Sequence, residues 1–257
     1  MSHSGLSKVW SEGRAALGPW ITTDSEWSIE TLAHSGFDFV VIDCQHSLLD
    51  EVTAARLLKG IANAPAAGIV RVSRNEPGRI GRVLDGGADA VIVPLVNTAG
   101  EAADAVAACR YSPKGVRSFG PFRAGLGFDV KALEERVSCF VMIETTKGVE
   151  NAAKICAVSG VAGVFIGPAD LSVDMGLPAA GAFGDKPAAA LTDAIEKIIK
   201  ATQAARIVVG KPASSVADAA RSAAAGYRLL AVGADRSLLR ERAVQVVKEM
   251  AAKGASN

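Results

Sequence analysis

Short, continuous apolar runs alternate along this chain with longer stretches whose apolar positions recur every three or four residues. The runs PWITT (19–23), FDFVVID (37–43), GIVRV (68–72), AVIVPLV (90–96), FVMIE (140–144), GVFIG (163–167), RIVVG (206–210) and YRLLAVG (227–233) are rich in β-branched residues and mostly bounded by glycine or polar residues, and they predict eight strands. A strand with one wet face alternates apolar and polar positions. Runs that stay apolar throughout are covered on both faces, which marks a parallel sheet under helices. The intervening segments, among them SEWSIETLAHSG, DEVTAARLLKGIANA and KGVENAAKICAVSG, have helical period, and several open on Ser, Thr or Asp and close on Gly. Eight such units without a linker favour a closed (β/α)8 TIM barrel over an open doubly wound sheet, with residues 1–257 as one domain. Two Gly- and Pro-rich stretches, 112–130 and 174–190, exceed the usual length of a connection in such a repeat and read as functional loops.

Composition narrows the function classes. Lys plus Arg (28) nearly cancels Asp plus Glu (27), so there is no electrostatic footprint for nucleic acid or for an anionic membrane surface. The first twenty residues lack a long apolar core, and no later segment reaches the roughly 18 apolar residues of a membrane span, so a soluble, cytoplasmic protein is expected. Cys44, Cys109, Cys139 and Cys156 are scattered without a CxxC pair and read as reduced thiols.

In a parallel barrel, residues at the C-terminal strand ends converge however far apart they lie in sequence. Here those positions hold Asp43 and, just beyond it, His46; then Arg71, Glu144 and Asp170. Glu144 and Asp170 together offer oxygen ligands to a hard divalent cation such as Mg²⁺ or Mn²⁺, leaving positions for water and a 2-oxo acid. Arg71 suits a developing oxyanion, and His46 suits proton transfer, its ring oriented by Asp43 or Asp85. The stretch Gly167–Pro168–Ala169–Asp170 can turn backbone N–H groups toward a substrate carboxylate, with the amides of Ala169 and Asp170 available because Pro168 has none.

Each of these residues also has an ordinary structural reading. Asp170 taken alone reads as a helix N-cap, Arg71 as one half of a barrel-end salt bridge, and His46 as a loop residue. His34, at the end of a helical segment, reads as structural, and His3 carries no assignment. Lys211, after the seventh run, is placed where a Schiff-base lysine of a metal-independent aldolase would stand. No GxxxxGK[ST], GxGxxG after a strand, or HExxH occurs.

The segments VMIETTKGVENA, VFIGPADLSVDMG, VIVPLVNTAGEA and FVVIDCQHS together resemble the HpcH/HpaI family of metal-dependent pyruvate aldolases, a group that includes 4-hydroxy-2-oxoheptanedioate aldolase and 2-keto-3-deoxy-sugar-acid aldolases. The resemblance implies that Glu144 and Asp170 are ligands of a divalent metal (Mg²⁺ or Mn²⁺, with Co²⁺ an alternative) and that His46 transfers the proton. It further implies that Arg71 contacts the 2-oxo group and that Gly167, Pro168 and Ala169 receive the pyruvate carboxylate. Asp43 and Asp85 match carboxylates near the histidine, the latter reaching a neighbouring subunit. Arg117, Ser118 and Arg123 fall in a segment resembling the acceptor-side loop, and the family implies a hexamer with an exchanged C-terminal helix. Gln45 stands where many members carry Glu, Ser47 where Gly is frequent, and the 179–187 loop is individual to this chain.

The expected reaction is reversible cleavage of a 4-hydroxy-2-oxo acid to pyruvate and an aldehyde by a class II aldolase, through a metal-stabilised pyruvate enolate. Competing expectations are decarboxylation of oxaloacetate or lysis of a CoA ester on the same barrel, and a non-catalytic binder of metal and 2-oxo acid.

Overall fold

A computed structural model describes residues 5–183 and 187–252 of the chain. His3 and part of the 179–187 loop therefore lie outside the described residues. The eight strands are β1 (Ala16–Ile21), β2 (Phe39–Asp43), β3 (Ala67–Arg71), β4 (Ala90–Val93), β5 (Ser138–Ile143), β6 (Val161–Ile166), β7 (Val208–Ala213) and β8 (Leu229–Ala234). All neighbours pair in parallel, and β8 returns to β1 to close the barrel.

Alternation within each strand separates two apolar layers, although the sequence itself does not alternate. Phe39 and Val41, Ala67 and Ile69, Ala90 and Ile92, Phe140 and Met142, Phe165, Leu229 and Ala231 fill the barrel interior. The intervening residues, such as Val40, Ile42, Val70, Val91, Val141, Val164 and Leu230, pack outward against the helices. Small residues make room for large ones inside the barrel. A Cβ on Gly18 would strike Phe39, one on Gly163 would strike Phe140, and one on Gly210 would approach Phe165.

The helix Gly5–Ser11 lies across the N-terminal end of the barrel, with Leu6 and Val9 joining the interior cluster. Trp10 stacks edge-on against Phe140 at 6.1 Å, and its indole N–H donates to the Arg228 carbonyl at 2.8 Å. The helical spacing of Leu6, Val9 and Trp10 was the available signal for this element, which the strand count did not include.

The two long stretches lie at opposite ends of the barrel. Residues 109–129 join the helix Ala99–Ala108 to the helix Val130–Glu135 that leads into β5, so this connection lies at the N-terminal end. Residues 175–183 follow the short helix Pro168–Asp174 after β6, at the C-terminal end. The expected run 90–96 also ends early. β4 stops at Val93, and Pro94 and Leu95 turn away from it.

Candidate active site

Inward-pointing positions at the C-terminal strand ends build the site. Asp43 and Arg71 are register partners on β2 and β3, so their side chains enter the barrel mouth side by side. Arg71 Nε donates to Asp43 Oδ1 at 2.8 Å and Arg71 Nη2 to Asp43 Oδ2 at 2.6 Å, a two-pronged pair with both side chains buried. The guanidinium lies over the Trp20 ring, 4.5 Å from its centroid, and Trp20 meets Phe165 edge-on at 5.7 Å. Arg71 is thus held on one edge by a carboxylate and on one face by an indole.

Asp43 also accepts from the backbone N–H of Gln45 at 3.0 Å and of His46 at 3.3 Å, which folds the loop after β2 over the strand end. Of the two carboxylates expected to orient the His46 ring, Asp43 meets His46 at its backbone N–H. Its carboxylate is taken up by Arg71 and by loop amides, so it places His46 through the backbone. His46 itself is exposed at the rim of a cleft of about 300 Å³ lined also by Trp20, Thr22, Arg71, Gly167 and Asp170.

Glu144, the residue after β5, is 1% exposed. Leu95 N–H donates to its Oε1 at 2.7 Å, whereas its Oε2 is buried without a hydrogen-bond partner. Burial pushes the Glu144 carboxyl up to about 7; the Leu95 N–H opposes this and the nearby Asp170 charge adds to it. Asp170 is exposed and is the third residue of the helix Pro168–Asp174, whose N-cap is Gly167, so it does not cap that helix. Gly167 follows β6 beside Glu144. A Cβ there would lie far inside contact distance of Glu144 Oε2 and 2.7 Å from Glu144 Cβ. Gly167→Ala is therefore expected to displace Glu144 and lower turnover by about 100-fold, a loss that steady-state kinetics alongside a thermal melt separates from unfolding.

Thr22 reaches the cleft because Asp235, buried at the start of the helix Asp235–Ala252, accepts from its amide at 3.1 Å and its hydroxyl at 2.7 Å, and also from Thr23. Burial opposes the Asp235 charge, but the hydrogen bonds from Thr23, Thr22 and Arg236 prevail and hold the carboxyl below its ordinary range. Neither Trp20 nor Asp235 entered the sequence reading. Trp20 sits within an apolar run, and Asp235 directly follows the last strand and opens a helix.

Several expected site residues are elsewhere. Asp85 ends the helix Pro77–Asp85 and pairs with Arg117 Nη2 at 2.7 Å. Arg117 belongs to the 109–129 connection at the N-terminal end, as do Ser118 and Arg123; Arg123 packs over Gly87. Within one chain, Asp85, Ser118 and Arg123 do not meet His46. Lys211 lies at an outward position of β7, where its ammonium pairs with Asp218 at 3.1 Å in the helix layer. The Schiff-base reading is corrected accordingly, since this amine points away from the barrel mouth. His34 ends the helix Glu26–Ala33, with Nδ1 3.0 Å from the Glu30 carbonyl.

The arrangement can hold a divalent cation. Two facing carboxylates, one with an orphaned buried oxygen, form a hard oxygen donor set; the nearby Arg71 charge does not offset burial and the Asp170 charge at Glu144, and a cation there would relieve the repulsion. Among the described residues there is no cluster of three or more His, Cys, Asp or Glu side chains suited to a metal, and a two-carboxylate set leaves coordination positions for small ligands.

Comparison with known proteins gives concordant matches. The family model described as HpcH/HpaI aldolase/citrate lyase matches residues 16–241. A hydroxypyruvate/pyruvate aldolase of Rhizorhabdus wittichii is 37% identical over 244 residues, covering 93% of this chain and 96% of the relative. A 4-hydroxy-2-oxo-heptane-1,7-dioate aldolase of Salmonella arizonae is 37% identical over 233 residues, covering 88% of this chain and 87% of the relative. Among solved structures, an HpcH/HpaI aldolase/citrate lyase family protein from Burkholderia cenocepacia superposes with a TM-score of 0.86 at 30% identity, covering 96% of this chain and 99% of that one.

Proposed function

Because this chain belongs to the HpcH/HpaI aldolase/citrate lyase family, we propose that it is a carbon–carbon lyase that reversibly cleaves a 4-hydroxy-2-oxo acid to pyruvate and an aldehyde. The observation that carries this reading is the meeting at one barrel mouth of Arg71, braced by Asp43 and Trp20, with the Glu144–Asp170 pair and His46. A cation-dependent aldolase needs these groups together, whereas a passive binder has no use for the base.

Glu144 and Asp170 would hold the divalent metal, Mg²⁺ or Mn²⁺ with Co²⁺ as an alternative. When bound, it supplies Lewis-acid polarisation of the 2-oxo group. Arg71 faces the C2 oxygen, and the Gly167–Ala169 turn receives the C1 carboxylate. His46 accepts the C4 hydroxyl proton as the C3–C4 bond breaks, so C4 leaves as an aldehyde and the bonding electron pair passes from C3 toward the C2 oxygen. Arg71 stabilises that negative charge. Returning the proton to C3 gives pyruvate and restores neutral His46.

By family resemblance Asp85 would stand near His46 from a neighbouring subunit, and Ser118 and Arg123, with Arg117, would serve the acceptor side. They can reach His46 only from a second copy, which supports a homo-oligomer, a hexamer by family resemblance. The helix Asp235–Ala252 supports exchange between subunits, since Leu239, Val244, Val246, Val247 and Met250 on it are all exposed. Light scattering in solution tests the assembly. The four free cysteines are buried, in keeping with cytoplasmic residence, and no described helix is long and apolar enough to cross a membrane.

The deciding experiment requires no knowledge of the aldehyde. Protein stripped by a chelator is mixed with pyruvate in D₂O and followed by proton NMR before and after Mg²⁺ or catalytic Mn²⁺ is added. Loss of the methyl signal only with cation is the expected result. Unchanged methyl protons in both samples would remove pyruvate as the activated donor.

A further inference from the structure

Leu95 has a φ of 55°, in the left-handed region, a conformation that leucine avoids. Its side chain is 53% exposed, so burial of the leucine does not compensate for that backbone. What the conformation achieves is an N–H aimed at Glu144 Oε1, 2.7 Å away.

The neighbouring residues secure this turn to β5 and the segment that follows. Val96 N–H donates to the Met142 carbonyl at 3.1 Å, two residues before Glu144. Asn97 Nδ2 donates to the Leu95 carbonyl at 2.9 Å, and Asn97 Oδ1 accepts from the hydroxyl of Thr145, the residue directly after Glu144. Asn97 is itself anchored, its amide on Glu101 Oε2 at 2.6 Å and its carbonyl on Asn151 Nδ2 at 2.9 Å. Both sides of Glu144 are thus tied to one three-residue turn, and a strained backbone persists only where its surroundings over-determine it. Oε2, the other oxygen, is left buried and unpartnered.

We propose that Leu95 and Asn97 are positioning residues that present Glu144 to the divalent cation. The Leu95 amide occupies Oε1, the Asn97 side chain locks that amide in place, and Oε2 is thereby the oxygen offered. This rests on the reading of Glu144 as a cation ligand. Groups that orient a ligating side chain typically change metal affinity by about 10- to 100-fold when removed. A turn that merely satisfied a buried carboxylate would change the melting temperature and leave cation affinity alone.

The test is Mn²⁺ titration of the chelator-stripped full-length protein, read by loss of the free-ion EPR signal and paired with thermal melts. Leu95→Gly keeps the N–H and adopts positive φ without strain, so its Mn²⁺ affinity should stay within about twofold of the original. Asn97→Ala should weaken Mn²⁺ binding about tenfold, with turnover recovering at saturating Mn²⁺. An amide-to-ester exchange at Leu95 removes the donor and leaves the side chain in place, so it decides the matter where Asn97→Ala misfolds; it should weaken binding similarly. Unaltered or tighter Mn²⁺ binding by the ester protein, with Glu144→Gln losing it, overturns this inference alone. Unaltered binding by Glu144→Gln overturns the ligand reading, and this inference with it.

Discussion

Replacing Glu144 by Gln is expected to abolish turnover and, at the same time, to make the metal-free protein harder to unfold at pH 8. The carboxyl sits at about 7 in the folded chain because it is buried and faces Asp170, whereas an unfolded glutamate titrates near its ordinary value of 4.5. Between those two pH values the native state binds the extra proton, so stability falls as pH rises and the penalty is complete above pH 7. A difference of this size corresponds to about 3 kcal/mol. The glutamine side chain in the Glu144→Gln protein would retain an Oε1 acceptor for the Leu95 N–H and carry no charge to repel Asp170. Urea melts of both proteins in the absence of metal should therefore agree near pH 4.5 and diverge by pH 8, with the variant the more stable. Equal midpoints at pH 8 would show that the wild-type carboxylate is not under strain. The same titration implies that cation binding weakens as pH drops through about 7, where a proton competes for the carboxylate.

The second large effect is expected at Asp43. Its side chain and that of Arg71 are 5% and 9% exposed and joined by two hydrogen bonds. Asp43→Ala leaves a desolvated guanidinium on the Trp20 face without its two-pronged carboxylate partner, and breaking a buried pair in this way costs about 3–5 kcal/mol. The loop carrying His46 also loses the acceptor for its Gln45 and His46 amides. The urea midpoint and turnover should both drop. Converting the pair to an apolar one, Asp43→Leu with Arg71→Met, should recover much of the stability and none of the activity, separating what the pair does for folding from what Arg71 does for chemistry.

Much of this site is legible in the chain, for a physical reason. A strand buried on both faces admits no polar side chain until it reaches the barrel mouth, so Asp43, Arg71 and Glu144 stand out at the ends of apolar runs. Trp20 is hidden by the same rule, because an aromatic at the mouth looks like more core. Leu95 carries no signal at all, since its contribution is a backbone N–H and a φ that only coordinates display. Strand ends drift where residue types mislead: β7 runs on through Pro212, a residue that argues against a ladder, and β4 stops before the apolar run does. The 109–129 connection was readable as unusual but not as lying at the N-terminal end, because its composition does not say which end of a βα unit it serves. That explains why Ser118 and Arg123, however suitable chemically, are far from His46 within one chain.

The register pairing of Asp43 with Arg71 has a consequence for how preparations of this protein should be judged. Side chains alternate between barrel interior and helix layer, so a β2–β3 slip of a single position would turn one member of the pair outward and bury a hydrocarbon in its place. No near-miss barrel would retain a partial site. Specific activity per mole therefore counts the molecules whose strands closed in the right alignment, and it is a stricter gauge of refolding than helix content or compactness.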